Sequence, residues 1–253
     1  MTEYYQTTKH RVVNVLVKWA MSLICRVNAE QLQKVPTRGP MIVITNHINF
    51  LDAPILYVHT QPRPMRGFAK IETWDSTFLG FLFSLWNSIP VRRGKADMKA
   101  VRQGVAALKE GHFLCIAPEG TRSGHGRLSK GHAGMVTFAL LSGAPFIVIA
   151  HYGAEKYREN LRKLKRTDFN IAVGEPFRLN TDKKKATHAE REQMTDEIMY
   201  QLAKLLPPEY RGEYADLNKA TQMYIEPIPL NQKENPYGPD LKPHGSQRLA
   251  EEI

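Results

Sequence analysis

Short apolar runs, set off by polar, glycine- or proline-marked breaks, recur along this chain, and segments with helical spacing lie between them. Met41–Thr45 (MIVIT) is apolar, rich in β-branched residues and preceded by Gly39-Pro40, so it predicts a buried strand. Runs around 67–69, 89–94, 112–117, 145–150 and 169–173 predict further strands. Residues 53–60, 75–88, 97–110, 132–142 and 188–206 predict helices, the third of them capped by Asp97 and stopped by Gly111. Strands alternating with helices give an α/β fold: a mixed central sheet flanked by helices.

The two ends differ from this middle. Residues 11–27 (RVVNVLVKWAMSLICRV) are strongly apolar but interrupted by Asn14 and Lys18, and fall short of a membrane span. The segment reads as a helix lying in a membrane interface with Trp19 at headgroup depth; the plainer reading packs it on the domain. From Pro207 the chain is rich in proline, asparagine and charge, which predicts an extended or wrapping tail. The expected division is therefore an interfacial helix over 1–29, one catalytic domain over 30–206 and a tail over 207–253.

Composition narrows the partners. Thirty-five Lys+Arg against 25 Asp+Glu give a net charge of +10, which favours anionic lipid, phosphorylated substrates or nucleic acid. The clusters at 156–166 and Lys183-Lys184-Lys185 lack interleaved aromatics and no recognition motif accompanies them, which argues against nucleic acid and for an anionic membrane surface. Cys25 and Cys115 lie in apolar runs and read as buried free thiols of a reducing compartment. His125 and His132 have no partners at metal-ligand spacing, so no metal is expected.

The chemistry concentrates where the strands end. His47 falls on the loop after the first central strand and Asp52 at the entrance of the next helix. The loop lets the carboxylate meet the imidazole, fix its tautomer and leave the other nitrogen to accept a proton from a hydroxyl. Asn46 braces that loop and Asn49 stands beside it, its neighbouring amides being candidates for an oxyanion site. Arg92 and Arg93 end the strand Ile89-Pro90-Val91 and are placed for anion capture. Pro118-Glu119-Gly120-Thr121-Arg122-Ser123 combines close backbone approach at Gly120, hydroxyls at Thr121 and Ser123, and a guanidinium at Arg122 that suits a phosphate, with Glu119 able to orient it or accept from a substrate hydroxyl. The basic loop 124–131 adds Arg127 and Lys130 as further phosphate grips. The Phe- and Leu-heavy side of 75–88 suits a wall for an apolar ligand.

NHINFLD, then IPVRRG, then PEGTRS, followed by an apolar strand after Ala144-Pro145, resembles the glycerolipid acyltransferases, particularly the bacterial 1-acyl-sn-glycerol-3-phosphate acyltransferases, over about residues 30–180. The resemblance implies transfer of an acyl group from acyl-CoA or acyl carrier protein to the sn-2 hydroxyl of lysophosphatidic acid, giving phosphatidic acid, with no cofactor beyond the thioester co-substrate. It implies His47 as general base, Asp52 as its partner, Arg93 as the arginine of the second motif, and Glu119, Gly120 and Arg122 as the acceptor-phosphate site. It places the enzyme on the cytoplasmic face of the cell membrane as a peripheral or monotopic protein. Asn49, Arg92, Ala117 and Val148 depart from the usual pattern, which leaves another lysophospholipid or lipid hydroxyl as an alternative acceptor. A non-catalytic module for anionic membranes is the alternative of a different class.

Overall fold

The computed structural model describes residues 7–92, 94, 97–181 and 186–228. Helices α1 (Thr8–Ile24), α2 (Asp52–Thr60), α3 (Thr77–Leu85), α4 (Met98–Lys109), α5 (Gly134–Ser142), α6 (Tyr157–Arg162) and α7 (His188–Lys204) surround a single sheet. Its strands are β1 (Cys25–Asn28), β2 (Met41–Thr45), β3 (Met65–Lys70), β4 (Ile89–Val91), β5 (Phe113–Ile116), β6 (Phe146–Tyr152), β7 (Thr167–Val173), β8 (Phe177–Leu179) and β9 (Ile225–Pro227). The order is β1-β7-β6-β2-β5-β3-β4, with β8 on β6 and β9 on β8. Strands β4, β3, β5, β2 and β6 run parallel, whereas β7 and β8 are antiparallel to β6. This is the mixed sheet flanked by helices that the alternation implies.

All five residues of β2 are buried, as a central parallel strand requires because helices cover both its faces. Ile42 and Ile44 point into one core with Leu114, Phe146, Val148 and the α7 residues Ile198 and Leu202. Met41 and Val43 point into the other, with Ile55 and Leu56 of α2, Leu82 of α3 and Trp86. Parallel strands deliver their C-terminal ends to one rim, so the loops after β2, β4 and β5 converge there.

The predicted elements hold in the middle of the chain and shift at its margins. Asp97 caps α4, accepting from the Ala100 amide, as its position implies. Cys25–Asn28, expected as the end of the first helix, instead forms β1 paired in parallel with β7. The 75–88 helix is shorter: Ile71–Asp75 is a 3-10 turn, and Ser76 caps α3 by accepting from the Leu79 amide. β4 stops at Val91, short of the arginines, and β6 runs on to Tyr152. The sheet continues past 173 through β8 and β9.

The segment after Pro207 wraps the domain over its described part. Tyr214 is buried, the Tyr210 carbonyl accepts from the Leu128 amide, and the Glu213 amide donates to the Leu128 carbonyl. The fully buried Glu197 on α7 accepts from the Thr221 hydroxyl and the Met223 and Tyr224 amides. Four-way satisfaction of one carboxylate, counting the Gln193 amide, is what allows its burial. The remainder of the expected tail, 229–253, and Lys183-Lys184-Lys185 lie outside the described residues.

Candidate active site

The loop leaving β2 is shaped by Asp52, the first residue of α2. One oxygen, Oδ2, accepts three hydrogen bonds: from the His47 ring at Nδ1 (2.8 Å), from the Ile48 amide (2.6 Å) and from the Asn49 amide (2.9 Å). A carboxylate accepts only, so His47 carries its proton on Nδ1 and presents Nε2 as its basic nitrogen. Burial works against a charge here, but the charge interaction with His151, the bond and charge of His47 and the Asn49 amide outweigh it and hold Asp52 below the ordinary aspartate range.

The two asparagines are built into this scaffold. The Asn46 side chain donates to the His151 carbonyl (2.8 Å) and accepts from its amide (2.9 Å), tying the β2 loop to the end of β6. Asn49 donates to the Ala154 carbonyl and accepts from the Leu51 amide. The amides near Asn49, considered as oxyanion donors, are committed: those of Ile48 and Asn49 to Asp52, that of His47 to Glu119.

Glu119 is 4% exposed, and its oxygens take the His47 amide and the Ser129 amide, both at 2.9 Å. Its carboxylate braces two loops, and among the described residues its hydrogen bonds go to those amides and not to Arg122. Burial raises its pKa, opposed by those amides. Gly120 adopts φ +67°, a left-handed backbone, and lines the cavity described below. Thr121 and Arg122 are exposed beside it, on a loop laced to the histidine loop by Ser123 N–H to the His47 carbonyl and Gly124 N–H to the Ile48 carbonyl. Lys130 is elsewhere: its ammonium lies 3.8 Å from Glu192 of α7, in a separate depression with His132 and Asp196. It belongs to that surface and not to the His47 cavity. Arg93 lies outside the described residues, although Val91 at the end of β4 reaches the cavity.

His47 and Asp52 open on a cavity of about 300 Å³, walled mostly by apolar groups including Leu56, Tyr57, Phe68, Phe83 and Trp86. Cys115 borders it with its thiol pKa pushed up to about 12 by burial. Only Phe83 of α3, with Trp86 just beyond its end, supplies the greasy wall expected from 75–88; Phe78, Leu79 and Phe81 face outward.

One residue escapes the sequence reading altogether. His151, fully buried at the end of β6, donates from Nε2 to the Asn46 carbonyl (2.8 Å) and turns Nδ1 toward Asp52 Oδ1 at 3.8 Å, stacking on Phe169. Burial lowers its pKa, against the pull of Asp52. The only signal was positional: Thr45 pairs with Ile149, so two residues further along β6 a side chain comes abreast of the histidine loop.

Residues 26–152, half of the 253-residue chain, match the family model described as Acyltransferase. The chain is 26% identical over 161 residues to the 1-acyl-sn-glycerol-3-phosphate acyltransferase of Bacillus subtilis, covering 64% of this chain and 78% of that protein. It is 24% identical to the chloroplastic enzyme of the same name from Arabidopsis thaliana, of which it covers 43%. The crystal structure of the 1-acyl-sn-glycerophosphate acyltransferase of Thermotoga maritima shares the fold, with a TM-score of 0.55 at 20% identity over 78% of this chain and 82% of that one.

Replacing Asp52 by Asn is expected to destabilise the protein at neutral pH by about 1.5–3 kcal/mol, the scale of hydrogen bonds to a charged group. A carboxylate whose pKa is depressed by folding stabilises the fold above the ordinary aspartate range, near 4, and loses that contribution as the pH falls through its folded value. Urea unfolding at a series of pH values should therefore show the gap between wild type and Asp52→Asn flat near neutrality and closing in acid.

Proposed function

This chain belongs to the acyltransferase family, and from that premise we propose that it transfers a fatty acyl group from acyl-CoA or acyl carrier protein to the sn-2 hydroxyl of lysophosphatidic acid, yielding phosphatidic acid. The observation that carries the reading is the His47–Asp52 pair opening on an apolar cavity beside the Arg122 loop. The relatives named for this acceptor support its choice.

In this mechanism His47 Nε2 takes the proton of the acceptor hydroxyl as its oxygen attacks the thioester carbonyl. The ester C–O bond forms, the C–S bond breaks, and the departing thiolate is protonated by the His47 imidazolium that Asp52 stabilises. A thioester is already activated, so positioning and proton transfer supply the remaining rate. The cavity holds the acyl chain, and Arg122, with Arg93 on sequence grounds and the Gly120-Thr121 backbone, holds the acceptor phosphate.

The acceptor is a lipid, and the protein carries a surface to meet it. Helix α1 is apolar on two sides: Val13, Val17, Met21 and Ile24 pack inward, while Val12, Val15 (66% exposed), Leu16, Trp19 (62%) and Leu23 face out. Phe78 (69%), Leu79 and Phe81 on α3 extend that surface, and the Lys9 ammonium stands 5.0 Å over the Phe81 ring. Among the described residues no helix is long and apolar enough to cross a membrane. We read this face, with Lys9, Arg11 and Lys18 around it, as a peripheral seat on an anionic bilayer.

With lysophosphatidic acid and acyl-CoA, mass spectrometry should detect phosphatidic acid from wild type. His47→Ala should fold normally and lose about 10²–10⁴ of turnover; comparable product from the folded variant removes His47 from the chemistry, and product only from another lysophospholipid in a panel changes the acceptor. Arg122→Ala should raise KM for lysophosphatidic acid with the acyl-donor KM little altered, and the reverse pattern moves Arg122 to the donor side. Replacing Leu16 and Trp19 by Ser should release the protein from phosphatidylglycerol vesicles in flotation assays; undiminished binding rejects α1 as the seat.

A further inference from the structure

The buried side of α1 carries two polar residues where a packed helix would normally carry apolar ones. His10 is 1% exposed, Asn14 is also buried, and both lie against the cavity wall. The Trp86 indole N–H donates to Asn14 Oδ1 (3.0 Å), the Asn14 amide donates to His10 Nδ1 (3.1 Å), and His10 Nε2 meets the Tyr57 hydroxyl (3.1 Å). The indole can only donate, which fixes the amide orientation; the amide then donates to Nδ1, which places the imidazole proton on Nε2. Tyr57 and Trp86 in turn stack on each other with ring centroids 4.4 Å apart. The circuit therefore runs from α1 through two hydrogen-bonded aromatics and closes on itself. Those two aromatics are the rings that line the His47 cavity on the α1 side.

We propose that His10 and Asn14 are specificity-determining residues: by holding Tyr57 and Trp86 in one orientation they set the depth of the acyl cavity, and so the acyl-chain length this enzyme accepts. The inference rests on the reading that the cavity holds the acyl chain. The indole N–H and the phenol hydroxyl of a buried stacked pair need partners, and the fixed positions of those partners on α1 select one orientation of the two rings. Neither residue touches the reacting atoms, so their effect is on which donor fits, not on the proton transfer at His47. Because α1 also presents the outward apolar face, the same helix that meets lipid holds the cavity wall.

The test uses the full chain with a donor series from lauroyl-CoA to palmitoyl-CoA. Asn14→Leu removes both the acceptor for Trp86 and the donor for His10 while keeping the branched shape of the side chain; Trp86→Phe keeps an aromatic in the wall but removes the N–H, and decides the matter alone if Asn14→Leu does not fold. With the indole unpinned, the wall recedes and longer chains gain. Both variants should raise the ratio of kcat/KM for palmitoyl over lauroyl donor by about tenfold or more, the scale on which apolar pockets discriminate methylenes. A purely structural role lowers all donors by the same factor and leaves the ratio at its wild-type value; that result, or a shift toward shorter chains, overturns the proposal while the acyltransferase reading stands. Wild type that transfers from no acyl thioester overturns both.

Discussion

A single carboxylate oxygen with three donors on it governs the rim of this sheet. Asp52 Oδ2 gathers the imidazole of His47 and two successive backbone amides, so the loop between β2 and α2 has no freedom to reorient its histidine without breaking several charge-assisted bonds at once. The requirement runs in both directions. A charge this buried needs donors to be tolerable, and the three on Oδ2 are in place only because the strand ends where it does. Its second oxygen faces His151 across 3.8 Å, so β6 as well as β2 contributes to the environment of that one acid.

A second layer holds the first. Glu119 spends both oxygens on loop amides, one of them that of His47, and Asn46 grips the backbone of His151 on the neighbouring strand. The histidine is thus held from its side chain by Asp52, from its amide by Glu119 and from its carbonyl by Ser123. Such support keeps reacting groups within the narrow geometric tolerance that proton transfer demands.

Local physics wrote much of this plainly. The β-branched run MIVIT after a glycine and proline, Asp97 ahead of a periodic segment, and the His47–Asp52 spacing across a strand-to-helix turn all depend on a few adjacent residues, and all are found where the pattern puts them. What could not be read depends on register and distance. Cys25–Asn28 resembles the end of an apolar helix until β7 pairs with it, and the three-residue β8 and β9 exist only through pairing. Glu119 in a Gly-Thr-Arg setting looks like a ligand contact, and only the folded chain brings two amides to it. His151 becomes part of the site through β6 lying beside β2. Asn14 interrupts an apolar pattern in a way that suggests solvent and His10 stands in the polar stretch ahead of it, whereas their partners come from α2 and from Trp86 far along the sequence.

The contacts that the segment after Pro207 makes with loop 124–131 and Glu155 have a consequence for how the protein is made. His47, Asp52, Glu119 and His151 all precede the end of β6, whereas Tyr210, whose hydroxyl donates to Glu155, and Tyr214, whose oxygen accepts from the Gly131 amide, are synthesised later. Until those tyrosines arrive and Glu197 captures the strand-forming segment behind them, the glycine-rich loop is held from the His47 side, through its Ser123, Gly124 and Ser129 amides. Synthesis order thereby splits the assembly of the rim in two: a nascent chain holds its acid, its base and the cavity wall beside them before it has the tyrosines that clasp the far side of that loop.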